Sequence, residues 1–131
     1  MSFTSIQSSL NFYTMQESSL TSELDNIMMS ISSATRQTSD IAQQTSDKRN
    51  AIYSNQDASG SSDSSQYDSE LGQVQDDYDL KLATITDWES ELEVKKQNIE
   101  TQLKEITSYK ESFKSMLKQN VKNDFKYGQS S

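Results

Sequence analysis

Histidine, cysteine and proline are absent from this chain of 131 residues, and glycine occurs only three times. Without histidine, no side chain titrates near neutral pH in its ordinary state, so imidazole acid–base catalysis is excluded. Without cysteine there is no thiol nucleophile and no disulfide, and the commonest zinc, haem and iron–sulfur ligation is lost as well. A cysteine-free chain suits a reducing or an oxidising compartment equally. The lack of proline removes the strongest interruption to a helix. Only 31% of the residues are hydrophobic, too few to fill a multi-layer core, so one thin, extended domain is expected. No run approaches the roughly 18 apolar residues of a membrane-spanning helix. The opening MSFTSIQSSLNFYTM has no positively charged leader region. Cytoplasmic synthesis is expected, with export lacking a cleaved signal left open. The net charge of −8 argues against nucleic acid as a partner, because a phosphate backbone is repelled.

What the chain does contain is periodicity. Residues 1–53 read as a first helical arm, 54–66 (SNQDASGSSDSSQ) as a Ser-rich loop, 67–127 as a second arm, and 128–131 as a disordered tail after Gly128. In the first arm a 3–4 spacing runs through Phe3, Ile6, Leu10, Tyr13, Glu17, Leu20, Leu24, Ile27, Ile31, Ala34, Thr38, Ile41, Thr45, Lys48 and Ile52. In the second it runs through Tyr67, Leu71, Val74, Tyr78, Lys81, Ile85, Trp88, Leu92, Lys95, Ile99, Gln102, Ile106, Tyr109, Phe113 and Met116. Sustained seven-residue phase predicts coiled-coil helices, and the fold expected is an all-α antiparallel two-helix hairpin able to assemble into a larger bundle. An ordinary amphipathic helix is the alternative for either arm alone.

Folding back between Ser59 and Gly60 sets Ile6 against Phe113, Tyr13 against Ile106, Leu20 against Ile99, Ile27 against Leu92, Ile31 against Trp88, Ile41 against Tyr78 and Ile52 against Tyr67. The polar positions coincide too, Glu17 with Gln102 and Thr38 with Lys81. Charge supports this register through Glu17 near Lys104, Asp25 near Lys95 and Asp40 near Lys81. The second arm is also polarised. Residues 67–93 carry nine acids and one lysine, whereas 94–127 carry eight lysines and four acids.

Apolar residues beside the seam, including Phe12, Met15, Met28, Met29, Leu80, Leu82, Val94, Leu103, Leu117, Val121 and Phe125, make the greasy surface wider than one hairpin covers. Lys110, Lys114, Lys118, Lys122 and Lys126 repeat every fourth residue alongside the apolar set Phe113, Leu117, Val121 and Phe125. The interaction surface is therefore expected at Phe12, Met28, Leu103, Leu117, Val121, Phe125 and those five lysines. Its partner is a second copy or a helical protein, with peripheral contact to an anionic membrane as the alternative use. Scattered surface apolar residues and a solvated lysine face are the plainer readings of the same residues.

Catalytic residues, a cofactor and a small-molecule substrate are not expected. Asp68, Glu70, Asp76, Asp77 and Asp79 form the densest carboxylate group, but on a helix they fan around the axis and lack the spacing of a calcium loop. In layout, the chain resembles the axial and filament proteins exported by flagellar and type III secretion systems: cysteine-free, rich in Ser, Thr, Gln and Asn, helical at both ends and polar at its centre. That resemblance rests on no motif and carries over no functional residue. It implies a structural subunit, secreted or secretion-associated. A cytosolic adaptor using the basic 110–126 segment is the competing expectation, and an enzyme is the third.

Overall fold

The computed structural model describes residues 2–59 and 64–130, with side chains placed for 2–56 and 65–124. The chain is all-α. Two helices, α1 (Phe3–Ser59) and α2 (Ser64–Ser130), pack against each other as an antiparallel hairpin. Ser2 starts α1: its Oγ accepts from the Ser5 amide at 3.2 Å and its carbonyl from the Ile6 amide at 3.0 Å, which satisfies donors that a bare helix end leaves open. Threonines inside the helices donate their hydroxyls to the carbonyl one turn back, as Thr14 does to Leu10 and Thr84 to Leu80, so a hydroxyl-rich sequence need not break the ladder.

Both helices are longer than the sequence suggests. Residues 54–59 of the expected loop continue α1, because no glycine or proline intervenes before Gly60, and residues 64–66 already belong to α2. Residues 60–63 lie outside the described residues. The expected tail is helical through Ser130: Gly128 lowers helix propensity, but no proline follows to stop the ladder. Ser131 lies outside the described residues.

The hairpin divides into two compact units, one of Met1–Met28 with Val94–Ser131 and the other of Met29–Glu93. In the first unit α1 turns Ile6, Leu10, Tyr13, Glu17, Leu20, Leu24 and Ile27 inward, and α2 contributes Lys96, Ile99, Leu103, Ile106, Lys110, Phe113 and Leu117. Tyr13 stacks on Tyr109 and Phe113 with ring centroids 5.5 and 5.7 Å apart. Lys110 reaches the Glu17 carboxylate at 3.4 Å. In the second unit α1 supplies Ile31, Ala34, Thr38, Ile41, Thr45, Arg49 and Ile52, and α2 supplies Leu71, Val74, Tyr78, Leu82, Ile85, Trp88 and Leu92. Arg49 donates to Gln75, Lys48 lies 3.9 Å from Asp77, and the rings of Tyr53 and Tyr67 meet at 5.6 Å. Buried aliphatics such as Ile6, Ile85, Ile99 and Ile106 each contribute roughly 1.5–3 kcal/mol by leaving water.

The register differs from the one the sequence suggests, and the helix bounds explain it. With α1 running to Ser59 and α2 starting at Ser64, the two helices are centred two residues later in the numbering than expected. Each α1 residue then meets α2 about four residues further on, which is one helical turn. Tyr13 accordingly packs on Tyr109 and Phe113, with Ile106 beside it, and Glu17 pairs with Lys110 instead of Lys104. Lys81 bonds Asp77 on its own helix at 3.1 Å instead of Asp40. One turn is about half a heptad, so alternate α2 layers move by one residue. Leu82, Lys96, Leu103, Lys110 and Leu117 are inward, while Lys81, Lys95, Gln102, Tyr109 and Met116 are exposed. Among the layers that move, Leu82, Leu103 and Leu117 replace Lys81, Gln102 and Met116, while Lys96 replaces Lys95 and Lys110 replaces Tyr109, so the net gain is one apolar side chain in place of a glutamine. In α1 a similar step brings Arg49 inward in place of Lys48, and Phe3 stays exposed.

Candidate interaction surface

The phase of α2 redistributes the residues expected to meet a partner. Leu103 and Leu117 are half-buried and form the seam instead of flanking it. Lys110 is also drawn in: its side chain keeps 16% of its exposure, and its amine reaches both Glu17 oxygens. Its long stem packs along the seam while the charge finds a partner at the edge. These three therefore belong to the hairpin's own packing. Val121 and Met28 remain outside it, both about half exposed. Phe12 is 56% exposed and meets Tyr13 in an edge arrangement with ring centroids 5.5 Å apart. Lys114, Lys118 and Lys122 are exposed and make no ion pair among the described residues. The side chains of Phe125 and Lys126 lie outside the described residues, although their backbone belongs to α2.

Other exposed apolar groups accompany them. Met15, Met29 and Leu80 are each about 70% exposed, and Val94 is 57% exposed. The first unit also has an open groove of about 360 Å³ lined by Tyr13, Gln16, Ser19, Leu20, Gln102, Glu105, Ile106 and Tyr109. It is the shoulder of a two-helix seam with no third wall, too open to sequester a substrate from water. Sequence spacing had assigned Tyr109 to the seam. Its half exposure over Tyr13 follows from the one-residue phase change.

The charge is unevenly shared. The first unit has eight lysines against seven carboxylates, a net of +1, and the second has four cations against thirteen carboxylates, a net of −9. The carboxylates at 68, 70, 76, 77 and 79 are spread around α2. No group of three or more acidic side chains among the described residues is gathered closely enough to hold a metal ion. No helix among the described residues is long and apolar enough to cross a membrane.

Gly72 was not singled out by the sequence. A Cβ added there meets nothing within 4 Å, so no neighbour in the chain calls for a glycine in the interior of α2. Comparison with protein-family models, with curated proteins and with solved structures gives no match for this chain.

Proposed function

We propose that this protein is a structural interaction subunit, a coiled-coil hairpin whose function is to associate laterally with another helical surface, foremost a copy of itself. The observation that carries this reading is the apolar surface outside the seam: Phe12, Met15, Met28, Met29, Leu80, Val94 and Val121 all stay largely in water although the hairpin's own seam is complete without them. Covering such groups gains about 25 cal/mol per Å² removed from water, and a second layer of helices is the simplest cover. Methionine and small polar neighbours suit a surface that adapts to a partner helix. The layout resemblance to exported filament proteins favours a secretion-associated form of the same role.

A cytosolic adaptor contacting anionic membrane is the second reading, supported by the exposed amines of Lys114, Lys118 and Lys122, which make no ion pair among the described residues. It is weakened because Phe113 and Leu117, half of the apolar ridge it needs, are taken into the seam. Light scattering over a protein concentration series tests the first reading, which expects mass to rise with concentration; a strict monomer throughout removes self-association. Co-sedimentation with neutral and anionic vesicles tests the second, which requires capture to depend on lipid charge.

A further inference from the structure

Resting on the reading above, we propose that the partner is a second copy bound antiparallel, α1 against α1, through the uncharged outer face of the first unit that carries Ser8, Phe12, Met15, Ser19 and Ser22. All five are exposed, and all belong to α1 within that unit. Their alternating spacing of four and three matches the rhythm of the α1 seam, so they form one line along the helix.

What marks this face is the charge it lacks. From Phe3 to Ser22 the only charged side chain is Glu17, and it is turned into the seam toward Lys110. Across that seam, α2 of the same unit exposes nine charged side chains between Lys95 and Asp124. A helix face left to water ordinarily carries charge, as α2 does here and α1 does not. The face also asks little of water. Thr14 and Thr21, in the neighbouring row, donate their hydroxyls to the carbonyls of Leu10 and Glu17, both at 2.8 Å, so these donors keep a partner when water leaves.

The same lack of charge selects the occupant. A charged helix docked here would give up hydration with no counter-ion on α1 to replace it, whereas the same face of a second copy brings no ion at all. Size then sets the direction. In an antiparallel pair centred on Met15, that residue meets its own counterpart, Phe12 meets Ser19 and Ser8 meets Ser22, and a two-fold axis repeats each contact. Phe12, 56% exposed, is thereby covered by a small residue instead of colliding with a large one. Glu23 and Asp25 fall opposite the uncharged stretch 5–8. A parallel, in-register pair sets Phe12 on Phe12, leaves serine on serine, and gathers Glu23 and Asp25 of both copies at one end. The line of contact is only about 21 Å long, so the dimer is expected to be weak.

The test is sedimentation velocity on the full chain from roughly 10 to 500 µM in low and high salt, with helicity checked by circular dichroism. The wild type should form dimers that do not weaken in high salt. Met15→Glu and Met15→Lys should each weaken the dimer about tenfold or more, and mixing the two should restore it, because position 15 meets itself across the axis. Val121→Glu, an equally exposed apolar site on α2, should dimerise like the wild type. Because the chain has no cysteine, single substitutions also report orientation. Met15→Cys should cross-link to its counterpart on mild oxidation, whereas Ser8→Cys, about 21 Å from its own counterpart, should not. Dimers that survive both charges at position 15, a mixture no tighter than either variant alone, loss of the dimer with Val121→Glu, or equal cross-linking at both positions overturns the α1 pairing and leaves self-association standing. A wild type that is monomeric at every concentration overturns both.

Discussion

Replacing Leu103 and, separately, Gln102 by alanine distinguishes the observed phase of α2 from the phase its spacing suggests. Leu103 is half-buried and Gln102 is exposed. Complete burial of a leucine side chain stabilises by roughly 1.5–3 kcal/mol, and half of that, with a small term for the vacated space, gives about 1–2 kcal/mol for Leu103→Ala. Gln102→Ala removes no buried surface and should stay within about 0.5 kcal/mol of wild type. For a chain of this size, 1 kcal/mol shifts the melting midpoint by about 3–5 °C, so Leu103→Ala should melt roughly 3–10 °C lower. The assay is thermal denaturation followed at 222 nm, at a few micromolar, where association contributes least. Gln102→Leu sharpens the comparison: inside the seam it would stabilise, and on an exposed layer it should not. If Gln102 proves the sensitive position and Leu103 the tolerant one, the half-heptad shift and the helix bounds behind it are wrong.

Other substitutions follow from the same geometry. Ile99→Asp should cost more than about 3 kcal/mol and unfold much of the hairpin in a urea titration, because it exchanges a 5%-exposed aliphatic side chain for a carboxylate without a partner. Gly72→Ala should raise the midpoint of a dilute sample by about 0.5–1 kcal/mol in stability, since the added methyl meets open space; a loss in the same melt would mean the backbone there is not ordinary helix. Lys110→Ala should cost more than Lys114→Ala, by up to about 1 kcal/mol, because only Lys110 packs its stem and pairs with Glu17; equal effects in parallel melts would make that ion pair decorative.

The all-α hairpin was legible because period and absence agreed. With no proline and a seven-residue repeat from Ile6 to Thr45, every position expected to face inward in that stretch does so. The second arm was harder. Leu82, Leu103 and Leu117 compete with Lys81, Gln102 and Met116 for the same layers one residue away, and both choices keep a 3–4 rhythm. Deciding between them needs the helix bounds, and a Ser-rich stretch does not announce where its helices stop: SNQDAS continues α1 to Ser59 despite its loop-like composition. The misplacement propagated to the interaction surface. Leu103, Leu117 and Lys110 were assigned to a partner and serve the hairpin, while Phe12, Met28 and Val121 keep the exposure expected of them. Gly72 lacked a signal of its own, since only the empty space around it distinguishes it from a glycine held by close packing.

A seam one side chain deep also governs how the molecule comes apart. Each rung, such as Tyr13 with Tyr109 and Phe113, leans only on its nearest rungs, and no third layer bridges distant ones. Backbone amides should therefore lose protection in a graded sequence inward from the helix ends, with each unit opening on its own terms instead of melting all at once. A protease would find its first foothold wherever the rungs are polar.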